Sequence, residues 1–296
     1  MEDSGQNTRR KRKRAVTTAT CQASVASTTA DRERALYTTM LRLRRFEEKA
    51  GMLYAMGTIA VPCPLGYGQE GAIAALVDVL QPTDVLLSLS ALPGLELALS
   101  ASPLTVFQRL AGSNDAAGAP IALLRRPGED VSVLNRPEPA LVPAAGRAGA
   151  SIVLATGASE LAPFVDPSRA KILAILMVPS DRRPDTSPLL AGMPFRECDG
   201  THLDSISDAL AAARDALAAG ETHVGLMLLT PPYAGHARDP GRRPAARRDS
   251  PDPIALYRHQ IVSSGRITET EASAIENAVR DEIAACGRAI TLACAP

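Results

Sequence analysis

Residues 151–159, SIVLATGAS, run an apolar stretch into Thr156, Gly157 and Ser159. A small polar residue and a glycine where a buried strand ends can hold a phosphate or a metal ion, because backbone N–H groups and hydroxyls converge there. The same residues also suit an ordinary turn that closes a core strand. Other chemistry-bearing residues are spread thinly. The five cysteines (Cys21, Cys63, Cys198, Cys286, Cys294) are odd in number and none forms a CxxC pair, which fits reduced thiols packed as small hydrophobes. The four histidines (His202, His223, His236, His259) make no HxxxH or HxH pair, which argues against a histidine-based zinc site. Glu70, in the GQE at 68–70, suits the positive end of a helix. Asp181 stands beside Arg182 and Arg183, as a turn former does. Arg242, Arg243, Arg247 and Arg248 crowd a proline-rich stretch that reads as a solvated charge run or as a clamp for a phosphate or an acidic partner.

These residues sit in a chain of 296 residues, 46% hydrophobic, which is enough to fill a core. Lysine plus arginine equals aspartate plus glutamate at 32 each, so no global charge recruits nucleic acid or an anionic membrane. Only 3% of residues are aromatic and tryptophan is absent, which removes the stacking surfaces that single-stranded nucleic acid uses; nucleic acid is not the expected partner. The exception is local: residues 9–14 read RRKRKR, and no acidic residue occurs from Ser4 to Ala30. The expectation is a disordered basic tail over residues 1–28 and one folded domain over 29–296. No apolar run approaches the roughly 18–20 residues that span a bilayer, and the stretch after the basic run is too polar for a secretory signal. A cytoplasmic protein is expected.

Several elements are predicted to position the polar residues. From Asp31, apolar residues at Leu36, Met40, Leu43, Phe46, Ala50, Leu53 and Tyr54 define a long amphipathic helix that stops at Gly57. A second helix covers about 69–80, a strand follows in DVLLSLSAL, and a short helix starts at Pro103 with Ser102 as its cap. Residues 112–149 alternate glycine, proline and alanine with little periodicity and suit a long loop. SIVLATG, AKILAILMVPS and HVGLMLLT are apolar throughout, as central strands covered on both faces are. HLDSISDALAAARDALAAG is a helix between the last two. The order points to an α/β domain with a mainly parallel sheet. A C-terminal helical hairpin closes the chain, broken at SSGRI, with Thr268 and Glu271 as a capping box.

The stretches LRLRRFEEKAGMLYAMGTI, GYGQEGAIAAL with QPTDVLL, GMPFRECDG, YAGHARDPG and SPDPIALYRHQIVSSGRITETEASAIENAVRDEI together resemble, colinearly from about residue 33 to 290, the alpha subunit of 2-oxoacid dehydrogenase E1 components, the pyruvate dehydrogenase type above all. The resemblance implies a thiamine diphosphate-binding fold. It also implies thiamine diphosphate and magnesium as cofactors, an E1 beta-like subunit as partner in an α2β2 assembly, and a lipoyl-bearing E2 beyond it. In that family a GDG motif and a later NN pair hold the metal. Ala155, Thr156 and Gly157 fall at GDG, and Ser180 and Asp181 fall at NN, so Thr156, Gly157 and Asp181 become the cofactor residues and Asp181 the metal ligand. His236 in YAGHARDPG matches the family's loop histidine and is the catalytic candidate.

The same resemblance exposes losses. The metal carboxylate has become Thr156. The family's aromatic, arginine and histidine set maps onto Ser90, Ala91 and Pro93, and another histidine maps onto Pro64. Removing one charge-assisted hydrogen bond from a diphosphate costs about 1.5–3 kcal/mol. The expectation is therefore a pseudoenzyme: a diverged alpha-subunit homologue with weak or lost cofactor binding and a structural or regulatory role. The alternative is a competent E1 alpha subunit that decarboxylates a 2-oxo acid and passes the acyl group to lipoamide. A third idea, carried by RRKRKR, is association with nucleic acid.

Overall fold

A computed structural model of the chain describes residues 4–59, 66–90, 92–99, 102–112, 122–134, 137–141, 149–165, 171–184, 193, 195–231 and 251–294, with side chains described from residue 29 onward apart from residue 140. Its centre is a seven-stranded sheet in the order β3-β2-β1-β4-β5-β7-β6. The strands are β1 (Val85–Ser88), β2 (Ala122–Arg125), β3 (Ser132–Leu134), β4 (Ser151–Ala155), β5 (Ile172–Pro179), β6 (Phe195–Asp199) and β7 (His223–Thr230). β1, β4, β5, β7 and β6 run parallel; β2 and β3 join antiparallel at the β1 edge. The expected α/β class and mainly parallel sheet are present.

The apolar strands are buried on both faces because alternate residues enter two different cores. Ile152 and Leu154 of β4 and Leu173, Ile175 and Met177 of β5 face a core formed with the main helices. Val153, Ala155, Ala174, Leu176 and Val178 face the other.

The helices are α1 (Ser4–Ala55), α2 (Glu70–Val79), α3 (Pro93–Leu99), α4 (Pro103–Gly112), α5 (Ala158–Leu161), α6 (Leu203–Ala218), α7 (Pro253–Ser263) and α8 (Glu269–Ala293). α1 is assigned from Ser4, upstream of the Asp31 start that the periodicity gives, and ends before Gly57, whose φ of 74° is left-handed and favours glycine. Its buried stripe is Leu36, Met40, Leu43, Phe46, Ala50 and Leu53, as the spacing predicts. α1 and α8 lie side by side in the same direction: Arg34 meets Glu271, Tyr37 donates to Glu276, and Arg42 meets Glu282. Thr268 accepts from the Glu271 N–H while Glu271 accepts from the Thr268 N–H, which completes the predicted capping box. Ser102 Oγ accepts from the Thr105 N–H at the start of α4.

The loop expected over 112–149 needs correction, since β2 and β3 form a hairpin on β1 inside it. Strands of four and three residues carry too few positions for an alternation to register. β6 also escaped the pattern. As an edge strand with Arg196, Glu197 and Asp199 exposed, it lacks the apolar run of its neighbours. No helix among the described residues is long and apolar enough to cross a membrane.

Candidate functional site

Parallel strands bring their carboxyl ends to one edge of the sheet, which is where α/β folds place ligands. Here that edge carries Ser90 after β1, Thr156 and Gly157 after β4, and Asp181 in a short turn after β5. β1 and β4 are adjacent and in register, Ser88 opposite Leu154, and the Leu89 N–H donates to the Leu154 carbonyl at 2.7 Å. This pairing delivers Ser90 to Thr156. Their hydroxyls lie 2.9 Å apart and hydrogen bond to each other, while the Ser90 carbonyl accepts from Ser88 Oγ at 2.7 Å.

The contact joins two positions that the family resemblance flags separately, one where it would place phosphate grips and one where it would place the metal carboxylate. Neither hydroxyl carries charge, and each is engaged by the other. Gly157 has an extended φ of −137°, open to any residue, and a Cβ placed there would lie 3.6 Å from Glu160 Oε2. Glu160 is exposed, and its carboxylate leans over the turn that a diphosphate would need. Its signal in the sequence is plain afterwards: an acidic residue four positions beyond Thr156, in the first turn of α5.

Asp181 is exposed. Ala155 pairs with Leu176, three residues before β5 ends at Pro179, and Asp181 lies in the turn that follows. β5 continues beyond β4 because it pairs with β7 as far as Pro179 opposite Thr230. Thr156 and Asp181 thus share the carboxyl edge of the sheet, each just beyond one of two neighbouring strands. His236 lies outside the described residues, as do Pro64, Ala91 and the arginines at 242, 243, 247 and 248.

A magnesium ion that bridges two phosphates needs hard, preferably anionic oxygens in near-octahedral array. The donor set at the end of β4 is a hydroxyl bonded to another hydroxyl, and among the described residues no three Asp, Glu, His or Cys side chains converge as a metal cluster. These residues do not fit the ion.

The charged machinery lies elsewhere, where α1, α2 and α7 meet. Glu70 opens α2 with its side chain 1% exposed and pairs with Arg44 at 2.5 Å, and Arg44 also reaches Asp252, the N-cap of α7, at 3.1 Å. The guanidinium sits 5.7 Å over the ring of Tyr67. Burial pushes the Glu70 carboxyl up, with Arg44 pulling it back. Beside it, Glu47 of α1 is buried, and burial followed by the charge of Glu70 raises its pKa well above the ordinary carboxylate range. Sequence reading overlooked Glu47, although a glutamate at its place between Leu43 and Ala50, on the apolar stripe of α1, is the signal to look for.

The chain is 27% identical over 293 aligned positions to the pyruvate dehydrogenase E1 component subunit alpha of Rhizobium meliloti (strain 1021), a match covering 84% of this chain and 82% of that protein. Shorter segments match more closely. The corresponding subunit of Zymomonas mobilis subsp. mobilis (strain ATCC 31821 / ZM4 / CP4) is 51% identical over 55 residues, covering 18% of this chain and 16% of the relative. That of Rickettsia felis (strain ATCC VR-1525 / URRWXCal2) is 56% identical over 45 residues, 15% of this chain and 14% of the relative. No family model matches the chain.

Proposed function

We propose that this chain, a diverged homologue of the pyruvate dehydrogenase E1 component alpha subunits, is a pseudoenzyme: it keeps the alpha-subunit fold, binds thiamine diphosphate and magnesium weakly or not at all, and serves a structural or regulatory role beside an E1 beta-like subunit. The observation that carries this reading is the Ser90–Thr156 hydroxyl pair at the sheet's carboxyl edge. A diphosphate carries at least two charges into a site of low dielectric and needs cationic and metal partners to offset its desolvation. Two mutually bonded hydroxyls and a neighbouring Glu160 offer the opposite. In this reading residues 1–28 form a basic tail apart from the body that begins at residue 29, and His236 has no active-site task.

Asp181 supports a second reading. Its carboxylate is exposed at the carboxyl end of β5, where a metal ligand of a competent E1 alpha subunit would stand. Calorimetric titration of magnesium and thiamine diphosphate into the purified chain, alone and mixed with a beta subunit, separates the two. Under the first, no heat of binding develops at millimolar cofactor. Micromolar binding that is lost in Asp181→Asn defeats the first reading and supports oxidative decarboxylation of a 2-oxo acid.

A further inference from the structure

The corner between α1, α2 and α3 contains a buried carboxyl without a countercharge of its own. Glu47 has a relative exposure of 1%, and one of its oxygens accepts from the Gly66 N–H. Its Oε2 is buried with no hydrogen-bond partner among the described residues, and the same holds for Glu70 Oε2 and Gln69 Oε1. These orphaned acceptors belong to Glu47 and to the start of α2, which meet at this corner. Arg44 supplies one positive charge, already shared between Glu70 and Asp252.

The charged and titratable groups around Glu47 are few among the described residues. On its own helix are Arg44 and Glu48, and on the Gly66–Gln69 turn is Tyr67, whose hydroxyl is pushed up first by burial and then by Glu48 and Glu47. α2 opens with Glu70 and α7 is capped by Asp252. The one charged side chain of α3 is Glu96, paired with Arg109. Among these groups no cation faces Glu47 that is not already committed to another carboxylate. The backbone meanwhile closes on it: a Cβ at Gly94 would lie 2.6 Å from Glu47 Oε1, and one at Gly66 would lie 3.1 Å from the same atom. α3 begins three residues after Ser90, so this packing bears on the segment that carries the Ser90–Thr156 contact.

We propose that Glu47 is a proton-operated latch: as the neutral acid it donates to the orphaned oxygens of Gln69 or Glu70 and holds the Gly66 turn and α3 against α1, and loss of that proton releases them. A single hydrogen turns one orphaned acceptor into a donor and satisfies a second, without burying a further charge. Ionisation places a second carboxylate against Glu70 in a tight, water-poor corner, which the turn and α3 relieve by moving apart.

The sign of the pH dependence follows. A carboxyl whose folded pKa is raised contributes stability that is fully present below its unfolded value and is lost as pH rises through the folded one. Glu47→Gln mimics the protonated acid and removes the titration. Melting temperatures of the full chain and of this variant, taken from pH 5 to pH 8, should nearly coincide at the acid end. The variant should then gain on the parent as pH rises, by about 3 °C or more across the range. Amide exchange over residues 66–76 and 92–99, corrected for intrinsic rates, should lose protection with pH in the parent and stay level in the variant. Should Glu47→Gln fail to fold, infrared spectra of carbon-13 glutamate-labelled protein, taken on the parent and on Glu70→Gln and Glu33→Gln, still decide, because a protonated carboxyl stretch that survives both substitutions must be present at the acid end and fade as pH rises. A variant uniformly less stable, as a carboxylate holding a metal ion would require, overturns the latch. A melting difference that does not change with pH, or the absence of the carboxyl stretch, does so too.

Discussion

The α1–α2 corner and the carboxyl edge of the sheet are built from opposite materials. At the corner, Arg44, Glu70 and Asp252 form an ion-pair network around a nearly inaccessible carboxylate, with Glu47 packed behind it. At the edge, Ser90 and Thr156 satisfy each other with neutral hydroxyls. Buried charge is expensive to maintain, so where a chain keeps it indicates what the fold depends on. Here the Arg44 network lies between helices, while the Ser90–Thr156 contact at the strand ends is a bond between two neutral groups. A scaffold and its site can diverge separately, because each rests on its own interactions.

Mutations can break or sharpen that contrast. The largest effect is expected for Arg44→Met, which leaves Glu70 buried without its cation; urea denaturation should show a loss of about 3–5 kcal/mol. A loss below about 1 kcal/mol would mean that water reaches the corner and would erase the contrast. Thr156→Val should cost about 1 kcal/mol, since it removes one hydroxyl–hydroxyl bond at a half-buried position, and should leave the calorimetric response to thiamine diphosphate unchanged. A measurable fall in cofactor affinity in that variant would show the edge to be chemically active. The smallest effect is set by an exposed interaction far from both regions: Thr268→Ala removes the side-chain half of the α8 capping box and should cost about 1 kcal/mol or a little less, giving the scale for an ordinary local bond.

The parts of the molecule that repeat were legible from the residues. The α1 stripe, the apolar strands β4, β5 and β7, and the cap at Thr268 each follow from spacing or from local chemistry that a few neighbouring residues determine. β2, β3 and β6 were not legible, because short or edge strands owe their existence to a partner rather than to their own pattern. The site divided in the same way. Thr156 stood out through its place after an apolar strand, and Ser90 through comparison with the family pattern. That the two meet depends on the β1–β4 register, which no stretch of sequence reveals. Glu160 and Glu47 went unnoticed because a glutamate on a helix reads as a solvated charge unless its place, on the apolar stripe for Glu47 and just after a strand-end turn for Glu160, is weighed against that.

The parallel pairing of α1 with α8 has a consequence for how the chain comes into being. The first helix finds its partners, Glu271, Glu276 and Glu282, 237 to 240 residues further along the chain. Contacts of such long sequence separation close a large loop, so α1 settles against α8 late in folding and slowly.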